Sequence, residues 1–118
     1  MTLRGVASAA DLEGRKMVVG ELSIFPLDKG PSVSQYVARC MEIIDKSGLD
    51  YRCHAMGTVI EGELDQILLL VKQCFEELQK DCDRIECYLR LDYRKGYTGR
   101  IESKVASVEA KLGRQLKR

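Results

Sequence analysis

Few side chains in this chain are placed to do chemistry. The single histidine, His54, adjoins Cys53 in a run of strand-like residues. Neighbours on a strand point to opposite faces, so the two cannot share a metal or act as a thiolate–imidazole couple without a bulge. One histidine also excludes the two-histidine zinc motifs. The expectation is that Cys53 enters the core and His54 stands on an open face. Phosphate loops of the G-x-x-x-x-G-K-[ST] type, dinucleotide fingerprints and the G-x-S-x-G elbow are all missing. No nucleophile is paired with a base, so the reading is of a non-enzyme that needs no metal and no cofactor.

What remains are groups suited to binding. Glu61 follows a short strand and precedes Gly62. It reads either as a turn residue that helps start the next helix or as a carboxylate for an amino-bearing or cationic ligand. Gly57 and Thr58 either make a tight hairpin or let a flat ring approach the backbone beside a hydroxyl. Arg90, Asp92 and Arg94 alternate along one strand face, with Tyr88 in the same set. They form either a salt-bridge ladder at a surface or subunit boundary, or the rim of a ligand site.

The elements that must position these groups are legible from periodicity. In Val18–Phe25, Val18, Gly20, Leu22 and Ile24 alternate with Val19, Glu21, Ser23 and Phe25, the period of a strand with one dry and one mixed face. Pro26 should end it. Ser32 and Gln35 read as a capping box for a helix burying Val33, Tyr36, Val37, Cys40, Met41 and Ile44, stopped by a left-handed Gly48. Tyr51–Gly62 holds two short strands broken at Met56-Gly57-Thr58. A second helix over 63–80 should bury Leu64, Ile67, Leu68, Val71, Cys74, Phe75 and Leu78. In the last strand Ile85, Cys87, Leu89, Leu91 and Tyr93 should face the helices, and Glu86, Tyr88, Arg90, Asp92 and Arg94 the other way. A third helix from about Arg100 carries a narrow seam of Ile101, Val105, Val108 and Leu112.

The order β-α-β-β-α-β with an appended helix predicts an α+β ferredoxin-like sandwich: a four-stranded antiparallel sheet with helices on one face. The other face carries Val19, Phe25, Met56 and Tyr88, so a second subunit, a ligand or both should cover part of it. Residues 1–16 lack strong periodicity and read as a flexible extension, or as residues ahead of an internal start at Met17. Residues 17–118 then read as one domain.

Composition bounds the function. The 118 residues carry 19 basic and 18 acidic side chains, a net charge of +1, which argues against a nucleic-acid or polyanion binder. The basic side of the third helix reads as solvated. Apolar runs such as Ile67–Val71 are too short to span a bilayer. Five cysteines, at 40, 53, 74, 82 and 87, make an odd count with no C-x-x-C pair, which points to a reducing cytoplasm rather than a disulfide scaffold.

The strand closing in Pro26, the Ser32–Val37 helix start, Ser47–Tyr51, the run Met56-Gly57-Thr58-Val59-Ile60-Glu61-Gly62 and Arg90-x-Asp92-x-Arg94 together resemble the small thiamine-binding protein family of the UPF0045 type, over about residues 17–112. That resemblance implies a ferredoxin-like subunit, assembly into dimers and tetramers, and binding of thiamine or its hydroxymethylpyrimidine portion without chemistry on it. The site expected on these grounds is Thr58, Glu61, Tyr88, Asp92 and Arg94. Cys53-His54-Ala55 and the N-terminal extension depart from the family pattern. The alternative is a structural or regulatory homo-oligomer that binds another small metabolite.

Overall fold

The computed structural model describes residues 16–118; the extension read at residues 1–16 lies, Lys16 apart, outside them. The elements run β1 (Met17–Pro26), α1 (Ser34–Lys46), β2 (Asp50–His54), β3 (Gly57–Glu63), α2 (Leu64–Leu78), β4 (Ile85–Tyr93) and α3 (Arg100–Leu112). The strands form one antiparallel sheet in the order β2-β3-β1-β4. The expected ferredoxin-like α+β architecture is the one observed.

Alternation along β1 works as anticipated. Val18, Gly20, Leu22 and Ile24 are buried, while Val19, Ser23 and Phe25 are partly covered and Glu21 is exposed. The dry face packs with Ile60 of β3 against Cys40 and Ile44 of α1 and Ile67, Leu70, Cys74 and Leu78 of α2. Burial of this apolar surface supplies the main stabilisation of the fold. Gly48 closes α1 at φ 76°, the left-handed conformation expected of it.

Three local expectations are corrected. First, α1 is not capped by Ser32: its N-cap is Val33, without a side-chain cap, and the Val33 carbonyl accepts the Tyr36 and Val37 N–H groups at 3.0 Å each. Val33 is half-buried, and seating it moves the start one residue on. The capping box sits instead on α2, where Gln66 Oε1 accepts the Glu63 N–H at 2.9 Å.

Second, the buried line of α2 is Ile67, Leu70, Cys74 and Leu78, whereas Leu64 and Leu68 are each 44% exposed. The apolar arc of this helix is wider than the sheet beneath it, and Leu64 and Leu68 fall on the side that no other element of the described residues covers. Third, Cys53 is exposed rather than core, because β2 is an edge strand whose last residues are exposed.

The appended helix decides what becomes of the second sheet face. Helix α3 lies across it, its first turn held by Glu61 and Asp92. The sheet is therefore covered by two helices on one side and partly by one on the other.

Candidate functional site

Register places the groups. Val19 of β1 lies opposite Glu61 of β3 and Asp92 of β4, so these three point to the same face, away from α1 and α2. Glu61 is 4% exposed. Its two carboxylate oxygens accept the backbone N–H groups of Arg100 (3.2 Å) and Ile101 (3.3 Å). A carboxylate here meets both the unpaired N–H groups and the positive end of the α3 dipole. Of the two readings of Glu61, the helix-starting one is nearer, but the helix is α3, distant in sequence, not α2.

Asp92 takes the other flank. One oxygen, Oδ2, accepts from Arg100 Nη2 and from Lys104 Nζ, each at 2.7 Å. The Lys104 and Arg100 hydrogen bonds hold its carboxyl below the usual carboxylate range. The Arg90–Asp92–Arg94 ladder does not form. Among the described residues, Arg90 reaches Glu21, at 4.0 Å. Arg94 lies past the end of β4 and stacks over the Tyr97 ring at 3.8 Å.

Between α3 and the sheet lies a cleft of about 860 Å³. Val19 and Val59 form its floor, and Ile101 and Val105 its α3 wall. Its rim is charged. His54 Nε2 stands 3.7 Å from Glu21 Oε2, and the Met56 N–H donates to His54 Nδ1 at 3.4 Å, so Nε2 is the ring nitrogen turned toward the rim. Arg52 bridges Asp50 (2.7 Å) and Glu102 (3.0 Å), and Arg118 joins Glu102 at 2.7 Å. Hydrogen bonds from Arg52, with the Arg118 charge, hold the Glu102 carboxyl low. Such a cleft can enclose a small flat ring between aliphatic side chains and address its edges with polar groups.

Of the five residues expected at the site, the cleft lining contains Asp92 alone. Glu61 sits beneath it as the anchor of α3. Thr58 is 5% exposed on the opposite face, opposite Leu22, and donates to Met41 Sδ at 3.3 Å. Tyr88 is exposed in a neighbouring hollow that shares Glu21 and Arg90 with the cleft. Gly57 serves the sheet: a Cβ there would stand 2.8 Å from the Leu22 carbonyl oxygen.

Sequence reasoning missed Glu21, Arg52, Arg100 and Lys104. For Glu21 a signal existed, since it occupies the polar face of β1 in phase with Val19. Arg52 shares its phase on β2 with His54 and lies opposite Val59, and only the placement of α3 brings Arg100 and Lys104 to the cleft. Among the described residues, no group of three or more His, Cys, Asp or Glu could hold a metal ion, and no helix is long and apolar enough to cross a membrane.

The fold and cleft define a ferredoxin-like α+β module in which an added helix roofs the free sheet face. The family model for thiamine-binding proteins matches residues 20–109. The UPF0045 protein MJ1052 of Methanocaldococcus jannaschii is 42% identical over 93 residues, covering 79% of this chain and 93% of that protein. A Synechocystis UPF0045 protein, sll0230, is 38% identical over 80% of this chain and 79% of its own length. The crystal structure of MJ1052 superposes with a TM-score of 0.74, covering 79% of this chain and 96% of that one. A Thermotoga maritima protein, TM0486, assigned provisionally to thiamine biosynthesis or salvage, superposes at 0.68 with 27% identity, covering 78% of this chain and 98% of its own. The chain belongs to the thiamine-binding protein family.

Proposed function

We propose that this protein binds thiamine, or its hydroxymethylpyrimidine portion, without acting on it chemically, and that the cleft under α3 is where it does so. The family match supports the ligand class, and the observation that carries the site is the pairing of an aliphatic floor and wall with carboxylates and a histidine at the rim. The aminopyrimidine ring lies between Val19 and Val59 on one side and Ile101 and Val105 on the other. Glu21 accepts from its amino group, and His54 Nε2–H donates to a ring nitrogen. Asp92 remains part of the site through Arg100 and Lys104. Tyr88 extends it through the adjoining hollow. Glu61 acts indirectly, by fixing α3, and Thr58 and Arg94 act elsewhere.

We further propose that residues 17–118 form one binding domain, that it works in the cytoplasm, and that it assembles as a homotetramer built from dimers. Leu64 and Leu68 on α2, and Leu91 and Tyr93 on the outer strand β4, are exposed apolar side chains that a second copy would cover. Neither nucleic acid nor membrane is a partner in this reading.

Calorimetry with thiamine and with hydroxymethylpyrimidine tests the proposal. Binding of either, weakened about tenfold or more in Glu21→Gln, is the expected result, since a hydrogen bond to a charged group is worth about 1.5–3 kcal/mol. No binding of either by the parent protein removes the reading.

A further inference from the structure

The charges around the cleft do not balance, and the imbalance is local. Five cationic and three anionic side chains line it, besides His54. On the Arg52 flank the charges are consumed by one another, through Asp50, Glu102 and Arg118. On the β4 flank they are not. Arg100 and Lys104 share a single oxygen of Asp92, so two positive charges face one negative. Arg90 is 87% exposed, and its contact with Glu21 at 4.0 Å lies at the outer limit of an ion pair.

A second observation is independent of this count. Arg100 is 7% exposed. Its Nη2 is bound to Asp92, but its Nη1 is buried without an acceptor among the described residues. A buried guanidinium nitrogen left without a partner is costly. Half of a planar fork suited to a two-oxygen acceptor is therefore unused. The backbone N–H groups of Arg100 and Ile101 are not available to complete the site, because Glu61 already holds them. What is unsatisfied is the side chain.

We propose that the cleft takes its ligand in phosphorylated form, with Arg100 Nη1, Lys104 and Arg90 as the subsite for a phosphate monoester on a pyrimidine whose ring lies over Val19 and Val59. This rests on the pyrimidine-binding reading above. A phosphate monoester carries between one and a half and about two negative charges near neutral pH, which matches the surplus on this flank. Lys104 is half exposed, so its ammonium can leave Asp92 with the incoming phosphate oxygen and open the way to Nη1. Asp92 keeps Arg100 in place throughout and accepts nothing from the ligand. Lys104 lies one helical turn beyond Arg100, so both reach the same point from α3.

Calorimetry with four probes tests this: hydroxymethylpyrimidine, its phosphate, thiamine and thiamine monophosphate. Each phosphorylated compound should bind about tenfold or more tightly than its parent, the increment of at least one charge-assisted contact. The advantage should shrink as salt rises. Lys104→Gln and Arg90→Gln, at exposed positions where folding is not at stake, should each narrow that ratio, weakening the phosphorylated compounds more than their parents. Parents that bind as tightly as their phosphates, or more tightly, would overturn the phosphate subsite and leave the thiamine reading standing. Failure of all four to bind would overturn both.

Discussion

The two faces of this sheet are built on different physics. Under α1 and α2 the strands present aliphatic side chains that are fully buried, with Ile60, Ile67 and Leu70 all sealed from solvent. Under α3 only a few aliphatic groups meet, and the helix is held by carboxylates: Glu61 on its first N–H groups and Asp92 on Arg100 and Lys104. Apolar packing has no preferred direction and fills its space. A roof held at a few charged points can stand off the sheet and leave room beneath it. One face is thus stability, and the other is a cleft.

The sharpest way to break that contrast is to remove packing from each side in turn. Ile67→Ala should lose about 2–5 kcal/mol in denaturant unfolding, because a sealed site cannot collapse fully. Val105→Ala, on a cleft wall already reached by solvent, should lose well under that. Equal losses would mean that the α3 face is as much core as the other. Next in size is Glu61→Ala, which strands two N–H groups at the start of α3. It should cost about 1–3 kcal/mol and raise hydrogen exchange at residues 100–103 before the core strands respond. Gly57→Ala forces a Cβ onto the Leu22 carbonyl oxygen and should cost about 1–3 kcal/mol, the usual range for overpacking, through the β1–β3 pairing rather than through the cleft.

Acid should loosen Glu77 and Asp81 from Arg39 on the α1–α2 side, and on the other face it acts on the roof. Asp92 and Glu102 have carboxyls lowered by their Lys104, Arg100 and Arg52 partners. A carboxylate whose folded pKa lies below its unfolded value, near 4, adds stability that is present above the unfolded pKa. That stability is lost as pH falls through the folded one. The attachment of α3 should therefore weaken only below about pH 4, and Asp92→Asn should flatten the acid side of the stability profile. A profile unchanged in that variant would show that Asp92 does not help to hold the roof.

The smallest effect is chemical. Cys53 alone among the five cysteines is exposed. The hydrogen bond that Cys74 makes to Cys40, then burial, raises the Cys74 thiol, and burial raises Cys82 and Cys87. Alkylation of the folded protein should modify one thiol promptly, with the rest following only on unfolding. Prompt modification of more than one would show that the helix-covered face opens more readily than its packing implies.

How much of this was legible beforehand differs between the faces as well. Strand alternation and helix periodicity are local signals, so β1, the hairpin at Met56-Gly57 and the three helices could be read from spacing alone. Burial followed where an element is covered squarely, as with Ile44 and Cys74, and failed at the margins, as with Leu68 and Cys53, because an edge is a property of the assembled sheet. The candidate site was read least well. Thr58 and Glu61 are close in sequence and both polar, yet their positions in β3 differ by an odd number, which sends them to opposite faces. The path of α3 was the missing information: it claimed Glu61 and Asp92 for itself, and brought Arg100 and Lys104 to a place that no local pattern could indicate.

The most direct test of the central claim is to map a bound pyrimidine on the sheet. Amide and methyl NMR signals of the labelled protein, followed while hydroxymethylpyrimidine is added, should shift at Val19, Val59, Ile101 and Val105 and leave Thr58 and Met41 in place. Shifts centred on Thr58 and Met41, with the cleft residues silent, would place the ligand on the helix-covered side of the hairpin and contradict the account.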